Sequence, residues 1–235
     1  MRAVVIGASG GVGNALTKKL LAAGYAVHAL SRSGVTEAQD AVPGRIDITD
    51  ETSISAAVKS VAEYGQPDLV LVASGILSAD NGLQPEKSLR HQEMDAFARV
   101  FAINTFGPGL VAKHFIPAMP KKDRAVFAAI SARVGSISDN QIGGWHAYRA
   151  SKAALNMLIR NYAIEQRRRN PRFIAVGLHP GTVDTALSKP FQSNVPDGKL
   201  FTSDQSAGYL LDVISQLTPD DSGKVFDWKG NEIPA

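Results

Sequence analysis

The chain opens with a strand, a glycine-rich turn and a helix in immediate succession, and this unit constrains the fold more than any other stretch. Ala3-Val4-Val5-Ile6 is a short, β-branched run of the kind found in a buried parallel strand. Gly7-Ala8-Ser9-Gly10-Gly11-Val12-Gly13 follows, then a helical pattern from Asn14 to Ala23 that stops at Gly24. Glycine permits positive φ and lets backbone approach a ligand closely. The N-terminus of the next helix offers unpaired N–H groups and positive potential to a phosphate. The spacing Gly7, Gly11, Gly13 reads G-x-x-x-G-x-G, and no lysine follows the last glycine, so a P-loop is excluded. Taken alone, the same residues also suit a plain tight turn between strand and helix.

The alternation continues to the end. Strands are predicted over 25–30, 45–48, 68–73, 124–130, 172–178 and 223–228, and helices over 50–63, 88–119, 145–169 and 204–217. That order implies an α/β fold: one domain over residues 1–235, a doubly wound parallel sheet of Rossmann type with helices on both faces. Residues 77–87 form a polar loop. The segment 186–202, with Pro190, Phe191 and Pro196, is long for a plain connection and is expected to act as a substrate lid. Within the predicted helix 88–119, Pro108 has no N–H, so the carbonyl of Asn104 loses its helical partner. The result is either a plain kink or a site.

Bulk properties exclude several functions. Net charge is only +3, too little to imply nucleic acid as a partner. The absence of cysteine removes disulfides, thiolate metal sites and thiol nucleophiles. No apolar run reaches the length of a membrane helix, and the apolar N-terminus dissolves into glycines without a cleavage signal, so a cytoplasmic protein is expected. The five histidines show no metal-ligand spacing. His146 lies two residues before Tyr148, where packing is a better account of it than substrate contact.

Two stretches carry chemistry. The predicted strand 25–30 ends in Ser31-Arg32-Ser33, where a dinucleotide site reads the ribose. A cation there favours a 2′-phosphate, hence NADP(H); a solvated loop charge is the bland alternative. Tyr148 and Lys152 stand one helical turn apart on one face. Tyrosine titrates near 10 when unperturbed. A unit charge at about 4 Å, with an effective dielectric of about 20, contributes roughly 4 kcal/mol, up to about three pKa units. Lys152 would thereby bring Tyr148 into range for proton transfer near pH 7. The pair alone is equally what an amphipathic helix shows.

Taken together and in order, these pieces resemble the short-chain dehydrogenase/reductase family over essentially the whole chain. Gly7, Gly11 and Gly13 match its cofactor loop, Asp47 its acid near the adenine, and Asn104 its active-site asparagine. Tyr148 and Lys152 match its Y-x-x-x-K pair, and Pro180 to Thr185 its P-G-x-V-x-T segment. Ser136 to Asn140, Gly143-Gly144-Trp145 and Ser151 to Leu155 resemble the C-factor and sniffer-type carbonyl reductase branch.

The resemblance implies an NADPH-dependent carbonyl reductase, or the reverse alcohol dehydrogenase. Its catalytic residues would be Tyr148, Lys152, Asn104 and Ser131, or Ser136 in the place of Ser131. Asn104 would hold a water in a proton relay reaching Lys152. The cofactor would lie on Gly7, Ser9, Gly11, Val12, Gly13, Ser31, Arg32, Asp47, Ile48, Ala73, Gly75, Tyr148, Lys152, Pro180, Gly181, Val183 and Thr185. Partners would be a small carbonyl or alcohol substrate and further copies of the chain, as a homodimer or homotetramer paired through 88–119 and 145–167.

Three departures stand out. Ile6 replaces a threonine, Val72-Ala73-Ser74-Gly75 replaces N-N-A-G, and Ser131-Ala132 replaces a Ser-Ser pair whose second member is catalytic. The last of these keeps open a rival reading, a nucleotide-binding signalling protein that uses the fold without turnover.

Overall fold

The computed structural model describes residues 1–79 and 82–235, so Asp80 and Asn81 of the predicted 77–87 loop lie outside the described residues. In chain order the first half comprises β1 (Arg2–Ile6), α1 (Gly11–Ala22), β2 (Ala26–Ser31), β3 (Val42–Arg45), α2 (Glu51–Ala62) and β4 (Leu69–Val72). The second half comprises α3 (Met94–Phe101), α4 (Gly107–Phe115), β5 (Ala125–Ile130), α5 (His146–Arg167) and β6 (Phe173–His179). It ends with the short β7 (Thr182–Val183) and β8 (Leu200–Phe201), then α6 (Ser203–Gln216) and β9 (Val225–Asp227).

Seven strands form one sheet in the order β3-β2-β1-β4-β5-β6-β9, every neighbouring pair parallel. A parallel sheet is covered on both faces, which is why Leu69 to Val72 is apolar and buried at every position. Alternate residues feed two cores. Ala3 and Val5 pack with α1 and α6; Val4 and Ile6 pack with α2, α4 and α5. From β1 the chain winds outward to β2 and β3, then returns past β1 to β4 and winds the other way. The carboxyl ends of β1 and β4 therefore flank a topological switch point, where open α/β sheets bind ligands.

Two predicted elements are corrected. The third strand is Val42–Arg45 rather than 45–48. It lies at the sheet edge, where Pro43 is tolerated. The β-branched Ile46 and Ile48, which drew the prediction, are instead buried beyond the strand end. The helix predicted over 88–119 is interrupted. A 3-10 turn at Leu89–His91 is separated from α3 by Gln92 and Glu93, both extended. A π turn at Ala102–Phe106 then joins α3 to α4. There the Gly107 N–H reaches back five residues to the Ala102 carbonyl, just ahead of Pro108, which has no N–H to give. Pro108 thus sits in the first turn of a new helix, a position it tolerates.

Candidate active site

The site lies at the carboxyl edge of the sheet, and its first part is the glycine turn. Gly7 has φ +88°, and a Cβ there would stand 2.8 Å from Ser74 Oγ and 3.0 Å from Ala73 backbone. A Cβ on Gly13 would run into the Gly7 carbonyl oxygen, so α1 can pack this tightly on β1 only with glycine. Helix α1 starts at Gly11, three residues before the predicted Asn14, and its N-cap is Gly10, without a capping side chain. A cap contributes about 1 kcal/mol, whereas each buried leucine contributes about 2. Leu16 and Leu20 are both buried, so α1 does not need the cap. Its first N–H groups open beside Ser9, Gly10 and Gly11, all exposed, and Val12, half-buried.

At the end of β2, Ser31 is buried and its hydroxyl is engaged with Ser33 Oγ at 3.1 Å and the Val35 carbonyl at 3.3 Å. Arg32 is exposed. Asp47 accepts two hydrogen bonds from Thr49. These bonds, with Arg32 and Arg45 adding, hold its carboxyl below the usual range. Ile48 is buried beneath Gly107, where a Cβ would meet its side chain at 2.8 Å. Ala73 donates its N–H to the Ile6 carbonyl, and Gly75 lies beside Asn104 and Lys152.

Tyr148 and Lys152 follow one another along the first turns of α5. Lys152 is almost fully buried and donates to the Ile130 carbonyl at 2.8 Å, at the end of β5. Its Nζ lies 5.9 Å from the centre of the Tyr148 ring. Burial pushes Tyr148 up to about 12 and Lys152 down to about 8. This corrects the expected direction for Tyr148. Desolvation opposes the charged form of both groups, and the ammonium is turned toward a carbonyl rather than the phenol. Gly135 lets a 3-10 turn at Arg133–Gly135 lie against the helix; a Cβ there would meet Lys152 at 2.8 Å.

Asn104, in the π turn, is fully buried. Its Oδ1 accepts from the Ile76 N–H at 2.8 Å, and its Nδ2 donates to the Ile76 carbonyl at 2.9 Å and to Ser151 Oγ at 3.2 Å. Thr105 donates to the Ser151 carbonyl at 2.8 Å. The amide is therefore fully engaged and ties the post-β4 loop to α5. Ser131 is also occupied. It is buried and donates to Asn156 Oδ1 at 2.6 Å. Asn156 lies two helical turns beyond Tyr148, about 12 Å along the axis. Ala132 is extended (φ −151°, ψ 146°), so its side chain and that of Ser131 take opposite faces. The expectation that Ser131 orients the substrate oxygen is not supported by this direction. Ser136 is buried and accepts from the Asp139 N–H at 3.1 Å.

The 180–185 segment closes over the glycine turn. Gly181 has φ +77° and packs on Phe201, which a Cβ would approach to 2.6 Å. The Pro180 carbonyl accepts from buried Ser206 at 2.8 Å, and Val183 is buried in the β7–β8 pair. The methyl of Thr185 stands against Gly11. Residues Lys189–Asn194 form a 3-10 turn, and Phe191 packs on Trp145 with ring centres 5.3 Å apart. Trp145 in turn lies 6.2 Å from Tyr148. His179, before Pro180, is pushed down to about 4, by burial first and Arg133 second, with Asp227 opposing.

Sequence reasoning missed Thr105, Ser151, Asn156, Gly135 and Glu86. Ser151 had a signal, a small polar residue on the buried face of the Tyr–Lys helix. Glu86 had none, because its contacts lie 61 residues away in the chain.

Known proteins are similar to this chain in sequence and fold. Residues 1–196 match the family model described as short chain dehydrogenase, and the chain belongs to that family. It is 39% identical over 137 residues to the C-signal of Myxococcus xanthus, covering 58% of this chain and 77% of that one. It is 30% identical over 230 residues to the 1-hydroxy-2-glutathionyl-2-methyl-3-butene dehydrogenase of Rhodococcus sp. (strain AD45), covering 94% of this chain and 93% of that one. Among solved structures, the NADPH-bound carbonyl reductase from chicken fatty liver superposes with a TM-score of 0.84 at 28% identity, over 100% of this chain and 94% of that one. Among the described residues no helix is long and apolar enough to cross a membrane.

Proposed function

We propose that this chain reduces a carbonyl compound to an alcohol with NADPH, or runs the reverse oxidation, with Tyr148 as general acid/base. The observation that carries the reading is Tyr148 above a buried Lys152 on α5, across the sheet edge from an uncapped α1 N-terminus. The residues fit NADP(H). Glycines at 7 and 13 make a cradle that a Cβ would fill, open N–H groups suit the pyrophosphate, and Arg32 is free to meet a 2′-phosphate. The similar chicken enzyme is NADPH-bound, which supports the same choice. When bound, the cofactor supplies the hydride.

Tyr148, pushed up by burial, keeps its proton at neutral pH and donates it to the substrate oxygen. Lys152, with its ammonium 5.9 Å from the ring centre, stabilises the tyrosinate that remains. We assign to Asn104 two tasks: its side chain holds α5 against the Ile76 loop, and its main-chain carbonyl, four residues before Pro108 with its missing N–H, holds a water in a proton relay reaching Lys152. The 186–202 segment forms the substrate wall, with Phe191 and Trp145 leading to Tyr148. The exposed Phe106, Met157 and Ile164 supply an apolar face for a homodimer or tetramer. A monomer mass from light scattering at micromolar concentration would refute that assembly.

A second reading, a nucleotide-binding signalling protein, is favoured by one observation. Ala132 stands at the family's serine position while Ser131 is turned to Asn156. Screening a carbonyl library for NADPH oxidation separates the two readings. Tyr148→Phe should lower reduction by about 10³-fold and leave NADPH binding intact. A Tyr148→Phe variant that reduces carbonyls at the parent rate would move the signalling reading ahead.

A further inference from the structure

Glu86 and Asp227 are buried carboxylates with no part in the proton transfer, and of the two Asp227 is paired with Arg133. Glu86 is only 4% exposed, on the loop that follows β4. Both its carboxylate oxygens face the Ala147 N–H, at 3.2 and 3.3 Å. Its main-chain carbonyl accepts from the Trp145 N–H at 2.6 Å. Glu86 joins none of the ion pairs among the described residues. A carboxylate buried without a cation stays only where N–H groups and positive potential meet it.

Helix α5 supplies both, and it lacks any local device of its own. Its N-cap is Trp145, held in the left-handed region at φ +50°, with no side-chain cap and no acidic residue in the first turn. Left-handed backbone is disfavoured for a bulky residue and persists only where its surroundings impose it. Here they do so through Glu86: its carbonyl holds the Trp145 N–H and its carboxylate holds the Ala147 N–H. The next residue is Tyr148. Trp145 also forms part of the aromatic wall beside it.

We propose that Glu86 is a positioning residue for the reaction, acting through the first turn of α5 to set the Tyr148 hydroxyl and the Trp145 ring. The proposal rests on the reading of Tyr148 as the acid. It assigns Glu86 no contact with substrate or cofactor. Its effect falls on turnover more than on cofactor binding, because the glycine turn and Arg32 lie on β1, α1 and β2, which Glu86 does not touch.

The test compares Glu86→Ala, Glu86→Gln and Glu86→Asp with the parent and with Tyr148→Phe. The readouts are kcat, KM for the carbonyl, the NADPH dissociation constant from fluorescence, and amide exchange of the 145–152 segment. Glu86→Ala should lower kcat about tenfold with NADPH affinity within twofold of the parent, and should speed exchange of that segment. Glu86→Gln, which keeps an acceptor oxygen on the Ala147 N–H, should restore most of the kcat. If Glu86→Ala does not fold, the other two variants decide. The shorter aspartate, which cannot reach the Ala147 N–H, should be slow while the glutamine variant stays close to the parent. Equal kcat in all three variants and the parent overturns the proposal. So does a glutamine variant as slow as the alanine one, or a parallel loss of NADPH binding. A fully active Tyr148→Phe overturns the parent reading instead, so the two failures are distinct.

Discussion

Two helices, α1 and α5, begin at the same edge of the sheet and end their N-termini in opposite ways. Helix α1 starts from Gly10 with no capping side chain, and the residues around it are exposed. Helix α5 starts from a strained Trp145 and receives a buried carboxylate from Glu86. A helix N-terminus attracts an anion in either case. At α5 the protein supplies the anion and the helix is fixed for chemistry. At α1 the place is left for a phosphate. One edge of one sheet thus has a binding end and a reacting end, distinguished by which of them already holds its negative charge.

The sharpest way to break the contrast is to give α1 an anion of its own. Gly10 has φ −80° and ψ 160°, which any residue adopts, and a Cβ there comes only to 3.4 Å from the Gly7 carbonyl. Gly10→Asp should therefore fold and cap the helix, with thermal stability unchanged or slightly raised. Its carboxylate would occupy the pyrophosphate position. Repulsion of roughly 4 kcal/mol at about 4 Å, before screening, corresponds to as much as about 10³-fold weaker NADPH binding. Calorimetric titration with unchanged affinity would show that α1 does not hold the phosphates.

The binding end was legible in the sequence because it is contiguous. Strand, glycines and helix follow one another within the first turns of the chain, and Gly13 has a local steric reason in the Gly7 carbonyl that its Cβ would meet. The doubly wound parallel sheet followed from the same alternation, with one edge strand misplaced by Pro43 and Gly44 and the short β7–β8 pair not foreseen. The reacting end was legible only in its motif. Tyr148 and Lys152 announce themselves by spacing, but what holds them comes from far along the chain. Asn104 reaches Ile76 across 28 residues and Ser151 across 47, and Glu86 reaches Ala147 across 61. No periodicity encodes such contacts. The direction of the tyrosine shift was misjudged for a related reason. Spacing gives the separation of two groups along a helix, not the burial that surrounds them or the carbonyl that one of them finds.

A smaller effect sharpens the binding end. Arg32 is exposed and free to pair with a 2′-phosphate, while Ser31 is spent on Ser33 and Val35. A hydrogen bond to a charged group contributes about 1.5–3 kcal/mol. Arg32→Ala should weaken NADPH binding by about ten- to a hundredfold and leave NADH binding nearly unchanged. Equal dissociation constants for the two cofactors in the parent would remove the basis for this reading.

At the reacting end, the pH dependence follows from Lys152. Its ammonium, pulled down to about 8 by burial, loses its charge as pH rises through that value, while Tyr148, pushed up to about 12, remains protonated. Reduction needs both groups protonated, so the sign is a loss of activity toward alkaline pH. Because kcat/KM for NADPH reports the free protein, it should fall about tenfold per pH unit above about pH 8. A profile flat from pH 7 to 9.5 would mean that Lys152 does not act in the protonated form.

The smallest effect concerns Ser131, whose position in the motif and direction in space disagree. Its hydroxyl donates to Asn156 at 2.6 Å on the α5 face of β5, and the extended Ala132 presents its side chain to the other face. Removing the hydroxyl takes that donor from the half-buried Asn156 Oδ1, a loss of about 0.5–1.5 kcal/mol in stability. Ser131→Ala should therefore lower the melting temperature while kcat changes less than twofold. A donor to a developing oxyanion is instead worth about 10²–10³ in rate, so a loss of that size would place Ser131 at the substrate after all. The reciprocal variant completes the test. Ala132→Ser puts a hydroxyl where the family carries one, on the side that Ser131 does not face, and should raise kcat with no change in NADPH affinity. If both variants leave kcat untouched, no hydroxyl from this turn serves the reaction, and Tyr148 works without a second donor from β5.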